Sequence, residues 1–417
     1  MTAREAALKA LFEVDQNGAY SDKALKKILA EGGMSAADNA LASELTYGVV
    51  RQRLRLDASI GKYSSLRLKK LSVWILNILR LGMYQLFFLE RVPQSAAVNE
   101  SVKLAKRYGH GGSSAFVNAV LRAAAQGGEA KLDSIEAYYS HPEWLVSLLA
   151  EQYPEDYKKI LAANNTPAPV TIRVNPLKTT ADGLAHSLES KGVFVTALED
   201  GLLEIAKFGD IAALEEYRAG LFTPQDNGAH LAAKAVNAQE GEVILDVCAA
   251  PGGKTTQLAE DSKNTAKITA FDIHPHKLEL IEKNAARLGI TCINAVCHDA
   301  SVVRDEYVGK ADKVLADVPC SGLGIIRKKP DIKWRKSPAD LIAIAEIQRK
   351  ILAASSKYVK KGGVLVYATC TVNKAENNEV IDAFLTDNTD FERVYERQLL
   401  PHTDGCDGFY ICSLKKL

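Results

Sequence analysis

Several features are missing from this 417-residue sequence, and each absence excludes something. No stretch reaches the roughly 18 uninterrupted apolar residues of a membrane-spanning helix. Met1 to Ala10 lacks a signal peptide's apolar core, so a cytoplasmic location is expected. The seven cysteines are scattered, with no CxxC pair and no His/Cys ligand spacing, which argues against a disulfide framework and a structural metal. The dinucleotide pattern GxGxxG is absent. Gly253-Lys254-Thr255 looks like the end of a phosphate-gripping loop, but the glycine needed five positions before Gly253 is replaced by Cys248. Net charge is also small, at +1.

The small total conceals an asymmetry. Residues 1–125 hold 18 lysines and arginines against 10 aspartates and glutamates, a surplus of eight, and the remainder carries a deficit of seven. A basic first third points to an anionic partner, with nucleic acid foremost.

From Thr2 to about Ala125 the apolar spacing is helical, with Leu8, Leu11 and Phe12 on one face. The run Leu71 to Leu89, with Trp74, Ile75, Ile78, Leu79 and Tyr84, reads as a core helix, and turns at Gly32-Gly33 and Gly109 to Gly112 separate segments of bundle length. Gln126-Gly127-Gly128 is the expected boundary, giving an all-α domain over 1–128. A small α+β segment is expected over 129–220, with strands at Val170 to Val174, Val193 to Leu198 and Leu202 to Ile205. Over 221–417 the rhythm changes to strands alternating with helices, at Val243 to Val247, Ile268 to Ile273, Ile293 to Cys297, Val314 to Val318 and Val364 to Ala368. That alternation predicts an α/β domain with a mostly parallel, doubly wound sheet.

Such sheets bind ligands beyond the carboxyl ends of their strands. The first strand ends in Asp246-Val247-Cys248-Ala249-Ala250-Pro251-Gly252-Gly253-Lys254-Thr255, whose glycines permit close backbone approach at a helix N-terminus. The next three strands end in Asp272, Asp299 and Asp317. Asp272 lies where a carboxylate accepts from ribose hydroxyls. One such acid is ordinarily a cap or turn residue; three at consecutive strand ends predict a cofactor site, and an acidic rim suits the cationic sulfonium of S-adenosylmethionine better than ATP or NAD.

The fourth strand runs on to Pro319-Cys320-Ser321 and the fifth to Thr369-Cys370. A lone strand-end cysteine is usually a small buried hydrophobe. Two in one crevice suggest covalent chemistry: a thiolate adds to C6 of cytosine, C5 takes a methyl group, a base removes the C5 proton and the thiol leaves. Asp317 is placed to hold the N3/N4 edge of the base. Spacing does not rank the two thiols. Cys292, Cys297, Cys406 and Cys412 have no such context. The basic run Arg327 to Lys336, with Trp334 inside, reads as a backbone-holding, base-stacking loop or as a solvated one. The target base must be single-stranded or flipped out.

These residues resemble the RNA (cytosine-5) methyltransferase family over about 170–412. The resemblance extends to Arg173-Val174-Asn175-Pro176-Leu177-Lys178-Thr179, Gln225-Asp226 and Asp407-Gly408-Phe409. It implies S-adenosylmethionine as cofactor, Cys370 as nucleophile, and Cys320 as the thiol that assists product release. It also implies cofactor contacts from Cys248, Ala249, Ala250, Pro251, Gly252, Gly253, Lys254, Asp272, Asp299 and Asp317, and an RRM-like small domain. Residues 1–125 resemble NusB, a helical RNA-binding factor, notably at Ala3 to Gln16 and Ser95 to Leu121. The combination is similar to one subfamily acting on 16S ribosomal RNA, free or in an assembling small subunit. A monomeric RNA enzyme is expected, with neither DNA nor membrane as partner. Two other readings are the same chemistry on tRNA or another RNA, and an RNA-binding protein with a vestigial catalytic domain.

Overall fold

The computed structural model describes residues 1–417. The chain forms two units, Met1–Thr166 with Ile326–Arg335, and Pro167–Ile325 with Lys336–Leu417.

The second unit opens with a four-stranded antiparallel sheet: β1 Thr171–Val174, β2 Phe194–Ala197, β3 Leu202–Ala206 and β4 Phe222–Pro224, in the order β2-β3-β1-β4. The helix Ala181–Ser190, capped by Thr180, packs Leu184 and Leu188 with Ile172, Val174, Leu203, Ile205 and Phe222. Its three sequence-predicted strands are present. β4, three residues long and ending in a proline, carries too little pattern to be read.

A seven-stranded sheet follows: β5 Val243–Asp246, β6 Lys267–Asp272, β7 Ile293–Cys297, β8 Ala311–Asp317, β9 Val359–Thr369, β10 Phe391–Leu399 and β11 Phe409–Lys416. The order is β10-β11-β9-β8-β5-β6-β7. β7-β6-β5-β8-β9 pair in parallel, and β11 lies antiparallel to both neighbours, so it alone runs against the sheet. Leu245, Val314, Leu365 and Tyr367 enter one apolar layer, and Ile244, Leu315, Val366 and Ala368 enter the other. A sheet covered on both faces explains the nearly continuous apolar strands.

The small sheet is joined to the large one by buried charge. Arg173 on β1 gives Nε and Nη2 to Glu260 at 2.7 and 3.0 Å, Nη1 to the Gly253 carbonyl at 2.8 Å, and Nη2 to Thr256 at 3.1 Å. The planar guanidinium fork satisfies a carboxylate and a helix turn together, which a lysine's point charge does not. β1 is thereby pinned to the helix Gly253–Asp261, which starts at the glycine loop.

In the first unit, helices Ala3–Asn17, Ala36–Arg51 and Val73–Phe88 begin at side-chain caps from Thr2, Ser35 and Ser72, respectively. Leu8, Leu11, Leu45, Val49, Ile78, Leu79, Val117 and Leu121 form its core. The apolar run of Val73–Phe88 is a core helix, as its composition predicts. The unit continues past the boundary expected at residue 128 through helices Ile135–Tyr139, Glu143–Gln152 and Tyr157–Ala163. Gly128, with φ 70°, ends the helix Ser113–Gly127 and opens the irregular residues 128–134 that lead to Ile135–Tyr139.

The basic run is the principal correction. Ile326–Arg335 belongs to this helical unit, and most of its polar groups are already bonded there. Lys333 is fully buried, with Nζ 2.8 Å from the Arg51 and Ser140 carbonyls and 3.2 Å from Asn165 Oδ1. Trp334 donates its indole N–H to Val50 O at 2.8 Å beneath the Arg53 guanidinium. Asp331 accepts from the backbone and hydroxyl of Ser21, and Arg335 donates to the Gly18 and Ala19 carbonyls. Trp334 is therefore not a free stacking platform, nor is the run a solvated loop. Lysines and arginines mark this segment because helix C-termini offer it carbonyls to bind.

Replacing Lys333 with Met should leave three acceptors unpaired and destabilise the helical unit by about 3 kcal/mol. Lys329→Ala, at an exposed position, should shift stability by no more than about 0.5 kcal/mol. Denaturant unfolding of the full chain, followed by calorimetry, distinguishes the two.

Candidate active site

The parallel strands β5, β6 and β8 end in Asp246, Asp272 and Asp317, and Asp299 follows β7 by two residues. The register sets Asp246 beside Ala270 and Leu315, and Asp317 beside Ala368, so these ends open on one edge of the sheet. All four acids act on one point: burial, then the charges of Asp246, Asp317, Asp272 and Asp299, hold the Cys248 thiol far above its usual range. Asp272 is kept in place by the His274 N–H at 2.9 Å, and Asp299 by the Ser301 N–H and hydroxyl at 2.9 and 2.7 Å. The Ser301 bonds set Asp299 below the ordinary carboxylate range.

Residues 248–252 wrap over this edge. Gly252 has φ 101°, which side-chain-bearing residues rarely adopt, and a Cβ there would also meet Ile281 Cα at 3.2 Å. A Cβ on Gly253 would meet nothing within 4 Å, so open space lies over the start of the helix. An acidic rim, a bare backbone and a helix N-terminus fit a cationic nucleoside cofactor, and a phosphate would meet the four carboxylates.

Lys254 points elsewhere. Its Nζ lies 2.6 Å from Asp317 Oδ2 and 5.2 Å from the centre of the Phe409 ring. Burial pulls this ammonium down, but Asp317, Cys370 and Asp246 outweigh it, so Lys254 stays charged. It links the cofactor loop to the thiols.

The two sulfurs meet: Cys320 Sγ and Cys370 Sγ are 2.6 Å apart, and the Cys370 N–H is 3.2 Å from the Cys320 sulfur. Both thiols are half-buried. The contact with Cys370, then burial and the charges of Glu376 and Asp317, holds the Cys320 thiol far above its usual range. Among the other cysteines, Cys406 and Cys412 are core residues. The Asp407-Gly408-Phe409 segment completes the floor: Gly324 donates to Cys370 O at 3.0 Å and accepts from Gly408 N at 2.9 Å. A Cβ on Gly324 would overlap the Gly408 carbonyl, so glycine is required by close approach.

The structure thus brings together Cys320, Cys370, Asp317 and Lys254, and, along the same edge, Asp246, Cys248, Asp272 and Asp299. Sequence reading overlooked the fully buried Glu376, whose carboxylate accepts from Ser321 N at 2.8 Å, Gln348 at 3.1 Å and Asn373 at 3.0 Å. Its only signal is a polar Glu376-Asn377-Asn378-Glu379 cluster soon after Thr369-Cys370.

Comparison with known proteins gives three family matches along the chain. Residues 233–415 match the model described as 16S rRNA methyltransferase RsmB/F, residues 1–126 the NusB family, and residues 141–207 the ferredoxin-like domain of RsmF/B-like methyltransferases. A probable ribosomal RNA small subunit methyltransferase B of Bacillus subtilis is 38% identical, covering 100% of this chain and 99% of its own. Ribosomal RNA small subunit methyltransferase B of Vibrio cholerae is 36% identical over 100% of this chain and 98% of its own. The solved structure of PH0851 has a TM-score of 0.84 at 24% identity, covering 99% of this chain and 98% of that one, a likeness of fold.

Asp246 gives this site a pH signature. Burial, with Asp317's charge added and the Thr255 hydroxyl opposing, raises its carboxyl from 3.8 to about 7. The unfolded chain releases this proton near 3.8 and the folded chain only near 7, so stability falls as pH rises between those values and stays low above them. Without cofactor, Asp246→Asn should therefore be more stable than the parent at pH 8, by on the order of 2–4 kcal/mol at about 1.4 kcal/mol per unit. The gap should close below about pH 4. Unfolding free energies across this range check it; a pH-independent gap would refute the assignment.

Proposed function

Because the chain belongs to the ribosomal RNA small subunit methyltransferase B family, we propose that it methylates carbon 5 of a cytosine in 16S ribosomal RNA through a covalent bond between Cys370 and C6. One observation carries the reading: two thiols in contact beside an Asp317–Lys254 pair, at strand ends that also carry an acidic cofactor rim.

S-adenosylmethionine, when bound, supplies an electrophilic methyl group. Cys248 to Gly253, with Asp272 and Asp299, would hold it, the acids matching its positive charge and its ribose. Asp317 accepts from the exocyclic amine of the cytosine, and Lys254, with Nζ 2.6 Å from its Oδ2, holds that carboxylate in place.

Cys370 Sγ forms a bond to C6, and the C5=C6 electron pair moves to C5, which then takes the methyl group. The Cys320 sulfur, having given its own proton to solvent, then takes the C5 proton, the double bond re-forms, and the C6–S bond breaks with its electrons returning to Cys370. Cys320 assists this second half. Its proton is held first by contact with Cys370; once Cys370 is a neutral thioether that hold weakens, when a nearby base is needed. A resting Cys320 that retains its proton supports Cys370 as the attacker.

The ribosomal RNA substrate is supported by the relatives' names and by the NusB-like unit, which carries the basic surplus. The target base enters unstacked.

Cys370→Ala should abolish methyl transfer to 16S rRNA, lowering turnover by at least ~10⁴-fold. Cys320→Ala should still attack and accumulate a protein–RNA adduct that survives denaturing gels. Methyl incorporation from labelled cofactor, with gel analysis of the same reactions, checks both; parental turnover in Cys370→Ala would refute the reading.

A further inference from the structure

The two thiol-bearing turns share one buried anchor. Glu376 follows β9 in the short turn Lys374–Glu376, and its side chain is completely buried. Oε2 accepts from Ser321 N at 2.8 Å and from Gln348 Nε2 at 3.1 Å; Oε1 accepts from Asn373 Nδ2 at 3.0 Å, with the Thr371 hydroxyl at 3.5 Å. Gln348 also donates to Pro319 O at 2.9 Å. The turn Pro319-Cys320-Ser321 is therefore gripped on both sides of its cysteine.

The other turn is held by the same residue and its neighbour. Thr369 donates to Asn377 Oδ1 at 2.6 Å, Asn377 donates to Thr371 O at 3.1 Å, and the Ser321 and Thr371 hydroxyls meet at 2.8 Å. A lone buried carboxylate is costly unless hydrogen bonds compensate it, and here donors reach it from both turns and from the helix Pro338–Tyr358. An apolar side chain here would leave those buried donors unpaired. A carboxylate has a further property: it accepts only, so it can hold two sets of donors in fixed register.

We propose that Glu376 is a positioning residue that fixes the separation of the attacking and releasing thiols, so that its loss uncouples product release from methyl transfer; this rests on the covalent mechanism proposed above. Glutamine in its place presents an amide N–H₂ to donors on one side or the other, whichever way it is turned, and so frees one of the two groups. Cys320, with a backbone anchor on Glu376 through Ser321, is displaced more than Cys370, which Asn377 still holds through the neighbouring threonines. The negative charge of Glu376 also helps Cys320 retain its proton in the resting state.

The test uses the full chain with labelled cofactor and a 16S rRNA transcript, comparing first-turnover methyl incorporation, steady-state turnover and the denaturant-resistant adduct. In Glu376→Gln, steady-state turnover should fall about 100-fold, the effect of a misplacement of ~1 Å, while first-turnover incorporation changes by less than about 5-fold and adduct accumulates. Unchanged turnover, or an equal loss of both rates without adduct, overturns the proposal. Gln348→Leu, which leaves no new charge, should show the same split at about 10-fold, and parental behaviour there overturns the proposal if Glu376→Gln does not fold. Cys320→Ala separates the levels. If it accumulates adduct and Glu376→Gln does not, only the role of Glu376 fails; if Cys320→Ala forms none and Cys370→Ala turns over, the covalent reading itself fails.

Discussion

Contact between two sulfurs at 2.6 Å is the constraint on which the catalytic unit is built. It starts with sheet register: β8 and β9 run in parallel with Asp317 beside Ala368, so Cys320, three residues on, and Cys370, two residues on, leave the sheet at neighbouring points. Loop backbones must then come close, and the Gly324–Gly408 pair permits that by having no side chains in the way. Glu376 finishes the task by bonding to both turns. Main-chain register, two glycines and one buried carboxylate each remove a degree of freedom that a pair of reactive side chains would otherwise keep.

Charge organises the rest of the edge. Burial raises the Asp246 carboxyl to about 7, and repulsion from the charge of Asp317 adds to it. Such repulsion is tolerable where a cation is to be bound, since binding relieves it. Lys254 offsets part of the charge from within and, through Asp317 and Cys370, ties the cofactor half of the site to the thiol half. Arg173 extends the same logic outward, where one guanidinium joins the small sheet to the helix at whose start the glycine loop lies.

Much of this was legible in the sequence because parallel sheets place chemistry at strand ends. Asp246, Asp272, Asp317, Cys320 and Cys370 stood where apolar runs stopped, and the helical first third announced itself by spacing. What escaped did so for physical reasons. β10, whose inner residues from Glu392 to Arg397 are exposed, has an edge strand's polar composition, and β11 alternates too weakly between faces that are both covered. The run Arg327 to Lys336 has the composition of a solvated nucleic-acid loop, yet Lys333 is buried among carbonyls; composition does not distinguish a cation facing phosphate from one facing the end of a helix. Glu376 escaped because hydrogen-bond convergence across segments leaves no period. The thiols were paired by position and ranked only by family resemblance.

The central claim is that Cys370, and not Cys320, bonds to the base. RNA carrying 5-fluorocytosine at the target tests it most directly, since after methyl transfer no proton can leave C5 and the bond to sulfur persists. Proteolysis and mass spectrometry of that complex should find the nucleotide on the peptide containing Cys370. Nucleotide on the Cys320 peptide, or on neither, would contradict the account.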